Sequence, residues 1–215
     1  MRAIMESVFS AAYLVTVISL GVLIVRRAGG DRQRRLFGIM ALVLGFGDAF
    51  HLVPRIYALL TDGLESHAAA LGFGTLVTSI TMTAFYALLY VFWKARHGIS
   101  GRHALDTTIC VLVVARVALC FMPHNQWLSA ESPLAWGIYR NVPFAILGAL
   151  MTVFCYRIAK ENGDRAFRHL WLAIALSFAF YIPVVLFAGA YPWVGALMIP
   201  KTCAYVWIVW MGFRA

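Results

Sequence analysis

A chain of 215 residues that is 62% hydrophobic and 13% charged, with a mean hydropathy of +0.81, has more apolar side chains than a water-soluble fold of its size can hide. That excludes a soluble enzyme or soluble binding module. The formal charge of +9 does not point to nucleic acid, because most of the bases sit in short bends between apolar runs, where they serve membrane topology.

In chain order, seven stretches are long and apolar enough to cross a bilayer as helices: residues 7–25, 36–60, 69–93, 105–122, 134–156, 170–188 and 193–212. They use almost the whole chain, so residues 1–215 read as a single all-α, seven-helix transmembrane domain. In the first stretch the positive cluster follows the apolar run, and no small-residue cleavage site precedes the next element, so it reads as a retained span. The bend after it holds Arg26, Arg27, Arg32, Arg34 and Arg35. The bend after the third span holds Lys94, Arg96 and Arg102, and that after the fifth holds Arg157, Lys160, Arg165 and Arg168. The other loops contain Asp62, Glu65 and Glu131 and neither lysine nor arginine. This alternation predicts the N-terminus outside and the C-terminus, with Arg214, inside, and gives the bends a share in holding anionic lipid.

The second span contains Asp48 near its middle, with His51 and Arg55 at i+3 and i+7 on the same helix face. An ionised group at that depth costs several kcal/mol unless paired or wetted, so it marks a functional site by default. The third span has Thr75, Ser79, Tyr86 and Tyr90 on one polar stripe. The fourth adds Arg116, the fifth Arg140, Asn141 and Pro143, the sixth Ser177, Tyr181 and Pro183, and the seventh Pro200 and Lys201. Four bases at membrane depth against one acid predict either an outward-facing basic cavity for a phosphate or carboxylate, or a structural arrangement in which Asp48 pairs with Lys201 and the arginines snorkel. Either way Asp48 is expected within ion-pair reach of Arg55, Arg116, Arg140 or Lys201.

The four cysteines all fall within spans, where they read as packing residues. His97, His103, His124 and His169 lie in bends or at a helix start, and no metal-ligand spacing is present, so neither a metal nor a cofactor is expected. Spans one to three and five to seven run in matching directions and permit a 3+1+3 parallel repeat. In that register Leu36 meets Leu170, Phe37 meets Trp171 and Asp48 meets Ile182.

Residues 47–55, Gly-Asp-Ala-Phe-His-Leu-Val-Pro-Arg, followed by a helix with Gly74, Ser79 and Tyr86, resemble a segment of the bacterial lysoplasmalogenase-like membrane proteins. The resemblance covers residues 36–90. It implies an eight-span fold reduced here to seven by loss of an N-terminal helix, a plasma-membrane location in a bacterium, and hydrolysis of the vinyl ether of a lysophospholipid. It also implies a second intramembrane acid in the C-terminal half, and spans five to seven contain none. On this reading Asp48 and His51 react, while Arg55, Ser79, Tyr86, Arg116, Arg140, Asn141, Tyr181 and Lys201 line the substrate site. The partners are then a membrane lipid and a phosphate-bearing ligand. The same residues fit a small transporter or receptor for an organic anion. A retinal-binding lysine is disfavoured, because no acid lies four residues before Lys201 or on the third span.

Overall fold

A computed structural model describes residues 2–129 and 132–215; Glu131 lies outside the described residues. Its helices are α1 Arg2–Arg27, α2 Arg32–Leu60, α3 Ala68–Arg96, α4 His103–Cys120, α5 Leu134–Asn162, α6 Leu170–Phe187 and α7 Met198–Arg214, with no strand among the described residues. All seven are long and apolar enough to span a bilayer, which makes the chain a multi-pass membrane protein. Three short 3-10 turns, Glu65–His67, Pro123–Asn125 and Pro192–Leu197, precede α3, α5 and α7. The expected boundaries differ at several helix ends, among them the start of α1, at Arg2 where residue 7 was expected. α5 runs on to Asn162, so Arg157 and Lys160 stand on the helix until Gly163, at φ 61°, closes it. α7 starts late, because Pro192 opens a 3-10 turn in its place.

The helices form a ring: each packs on its chain neighbours, α7 closes onto α1 and α2, and α3 also touches α5. The basic bends gather at one end. There Gln33 Nε2 donates to Ala95 O at 3.0 Å, Arg96 bonds Asp164, and the Arg27 guanidinium lies over the Phe213 ring at 4.8 Å. Asp31 caps α2 at this end by accepting the N–H groups of Gln33 and Arg34. Outward faces are apolar, with Val15, Phe46, Val91, Val114 and Ile146 all exposed, as a lipid-facing surface requires.

Without a hydrophobic drive between helices in lipid, close approach comes from small residues. A Cβ at Gly45 would meet Ile18 of α1, one at Gly47 would collide with Thr81 of α3, and one at Gly74 would collide with Phe50 O of α2. The last contact has a cause in sequence. Pro54 has no N–H to offer the carbonyl four residues earlier, and Gly74 lets α3 settle against that freed oxygen. Thr78 Oγ1 donates to Gly47 O at 3.0 Å along the same seam. Phe37, Met40, Leu44, Phe85, Leu89, Trp93 and Leu147 fill the middle and the basic side of the ring. Polar side chains collect in the opposite half, between α1, α2 and α7. The 3+1+3 register does not extend to this region, since Asp48 turns inward while Ile182 is exposed.

Candidate functional site

Asp48 makes no ion pair. Its Oδ2 accepts a hydrogen bond from Tyr13 of α1 at 2.5 Å, and the ion pairs among the described residues all lie elsewhere. Lys201 acts on it only through space. The expected contact with a base therefore fails, and the reason is register: α1, which has no base at this depth, is the helix that faces Asp48. Two turns along, Arg55 Nε donates to Glu6 Oε1 at 2.6 Å. Because α1 begins at Arg2, Glu6 stands on the helix and is a second acid within the bundle. Glu6 and Tyr13 are seven residues apart, as are Arg55 and Asp48, so both pairs lie on one seam of two antiparallel helices.

His51 sits between them on α2. Its Nδ1 is 3.3 Å from Leu71 O and 3.1 Å from Thr75 Oγ1, and the Thr75 hydroxyl donates to Leu71 O at 2.8 Å. With that hydrogen committed, the network assigns the ring proton to Nδ1 and leaves Nε2 as a free acceptor.

The other bases do not converge on Asp48. Arg116, almost fully buried, donates from Nε to Thr83 Oγ1 at 3.0 Å and from Nη1 to Arg140 O at 2.5 Å and Asn141 Oδ1 at 2.8 Å, with its guanidinium 4.0 Å over the Phe144 ring. It staples α4 to α3 and α5. Arg140 donates to Asn125 Oδ1 at 2.9 Å and covers the Trp127 ring at 4.3 Å, holding the α4–α5 turn. Lys201 differs: it is buried between the rings of Tyr181 at 4.9 Å and Tyr205 at 5.5 Å, with no hydrogen bond or ion pair. Tyr181 donates to Asn141 Oδ1 at 2.9 Å, so a continuous line of contacts runs from Arg116 through Asn141 and Tyr181 to Lys201.

Ser79 spends its hydroxyl on Thr75 O at 2.7 Å, as Thr83 does on Ser79 O, the common use of a hydroxyl in a membrane helix. Tyr86 lies in the centre, in a closed triangle with Ser177 and Tyr205 at 3.3–3.4 Å. The structure thus brings together Asp48, His51, Lys201 and Tyr181, with Arg55 near enough for its charge to act on His51, and separates from them Arg116, Arg140, Ser79 and Tyr86. Sequence reasoning missed Glu6, Ser10 and Tyr13, whose i, i+4, i+7 spacing on α1 was a readable polar stripe.

The second oxygen of Asp48, Nε2 of His51, Oγ of Ser10 and Nζ of Lys201 have no hydrogen-bond partner among the described residues, yet none of them is sealed inside protein. Two acceptors and two donors are thus open to a water molecule or a ligand. Nearby, a cleft of about 430 Å³ between α5 and α6 is lined by apolar side chains including Val142, Phe178 and Ile182, with Asn141 and Tyr181 as its polar residues. Among the described residues no group of three or more His, Cys, Asp or Glu is placed to hold a metal ion. No family model, curated protein or solved structure matches the chain.

Proposed function

We propose that this protein is a membrane-embedded hydrolase of the lysoplasmalogenase-like kind, cleaving the vinyl ether of a lysophospholipid to a fatty aldehyde and a glycerophospho-headgroup. The observation that supports it is the pairing of two features on one side chain. Tyr181 forms part of an apolar cleft open toward lipid, and its ring also contacts Lys201, which shares the interior with Asp48 and His51. The apolar lining of the cleft suits part of a hydrocarbon chain, and Lys201 offers the headgroup phosphate its unspent N–H donors.

The chemistry follows from the two acceptors. His51, once its free Nε2 has taken up a proton, delivers that proton to the alkenyl carbon, and the Asp48 carboxylate, fixed by Tyr13, stabilises the oxocarbenium that results. Water adds to the cationic carbon and returns a proton to His51. The hemiacetal then collapses to aldehyde and alcohol, so one water is consumed and the enzyme is restored. The resemblance and the charge pattern support a bacterial inner membrane as its location, with the basic end in the cytoplasm.

The test is aldehyde release from an alkenyl lysophospholipid by purified protein. Asp48→Asn should abolish turnover with lipid binding largely kept, Lys201→Ala should raise KM, and Tyr13→Phe should lower kcat roughly tenfold through loss of one hydrogen bond to a charged group. Absence of aldehyde from folded protein, together with saturable uptake of a small organic anion, would replace the hydrolase by a transporter built on Lys201.

A further inference from the structure

A second cleft lies at the basic end, about 360 Å³ in volume, between the start of α2, the ends of α3 and α7, and the α5–α6 turn. Its floor is three phenylalanines, Phe37, Phe92 and Phe167, packed with ring centroids 4.9–5.5 Å apart. Its polar wall includes Arg34 and Arg96. The two arginines differ in what they are given. Arg96 donates to both oxygens of Asp164, at 2.6 and 3.3 Å, and its guanidinium lies 4.7 Å over Phe167, so its charge is countered.

Arg34 has no such partner. Its Nε is buried without a hydrogen bond, and no carboxylate among the described residues lies within ion-pair distance of its side chain. Asp31, also at the cleft, spends Oδ1 on the backbone of Gln33 and Arg34. A buried, unsatisfied guanidinium N–H costs on the order of 1–3 kcal/mol or more, and each such group in a folded protein calls for an explanation. Next to the lining in sequence, Arg35, Arg168 and Arg214 add positive charge that no ion pair among the described residues cancels.

We propose that this cleft binds a phosphate ester, with Arg34 gripping the phosphate oxygens above the buried phenylalanine floor and the apolar body attached to them left outside the cleft. Basic pockets between helices at a membrane surface suit this chemistry, and the planar fork of arginine matches phosphate geometry. The site lies at the opposite end of the bundle from Asp48 and stands independently of the hydrolase reading. It is a docking place for an anionic lipid headgroup, or for a soluble phosphate that uses the same fork.

Native mass spectrometry of the purified chain tests it, with dioleoylphosphatidylglycerol, dioleoylglycerol and glycerol 3-phosphate as probes. One phosphatidylglycerol should be retained in preference to dioleoylglycerol, and Arg34→Gln should weaken it roughly tenfold, while Arg32→Gln, the same charge change in the same turn, should leave it as in the parent. Arg34→Lys keeps the charge and loses the fork; it should fall between, and it serves if the glutamine variant fails to fold. Retention of glycerol 3-phosphate with the same Arg34 dependence identifies a soluble phosphate as a ligand, and its failure to bind identifies the lipid. Equal effects of the Arg32 and Arg34 variants, or equal retention of dioleoylglycerol, would overturn the site.

Discussion

The four bases within the bundle meet three different fates, and side-chain chemistry explains the division. Arg116 and Arg140 spread their charge over backbone and side-chain oxygens and aromatic faces, which a planar guanidinium with five donors does well. Arg55 is neutralised by Glu6. Lys201, a point charge, has only ring faces beside it and is the one left for a ligand. From the sequence, Asp48 was legible as a candidate site residue because its depth follows from its place in a long apolar run. Its partner was not, because a hydrogen bond from Tyr13 depends on the register of α1 against α2, which no local pattern encodes.

Outside the spans, a second carboxylate gives a pH-dependent expectation. Burial would raise the Asp164 carboxyl, but the hydrogen bonds from Arg96 and the Phe167 N–H, with the charges of Arg96 and His97, outweigh it and hold the group below the ordinary carboxylate range. Burial likewise holds the His97 imidazole below its usual value, against the pull of Asp164. Both groups bind protons less readily folded than unfolded, so their contribution is complete above the ordinary values and is lost as pH falls through the folded ones. The melting temperature in detergent should therefore drop as pH is lowered from about 7 to about 4. Asp164→Asn should be less stable than the parent at neutral pH and should show a flatter acid limb; an unchanged limb would remove Asp164 from this account.

At the scale of elements, helix existence was legible almost everywhere, since runs of about 20 apolar residues have few other uses. The pairing of α2 with α3 was less so, although its causes are two residues in plain sight. Pro54 frees a carbonyl and Gly74 accepts it, and the fit holds His51 against Leu71 and Thr75. Gly74→Leu should force the helices apart at a cost of about 1–3 kcal/mol and loosen the His51 contacts. Thermal unfolding in detergent reads the first effect. A variant as stable as the parent would mean that the α2–α3 seam yields without penalty.

For the whole molecule, the ring gathers three basic bends and the end of α7 on one side, and the positive-inside pattern predicts that this side faces the cytoplasm. A single cysteine placed at Gly30 should resist a membrane-impermeant thiol reagent in intact cells and react once the membrane is opened, whereas one at Gly63 should react from outside. The reverse result would invert the orientation and with it the direction from which ligands reach Asp48.

The seam of Glu6 with Arg55 and Tyr13 with Asp48 also bears on how the protein is made. Neither α1 nor α2 can enter lipid alone without taking an unpartnered carboxylate with it, whereas the two as a hairpin satisfy each other at both levels. The first hairpin is therefore the natural unit of insertion, and the remaining five helices assemble against a pair whose polar contacts are already closed.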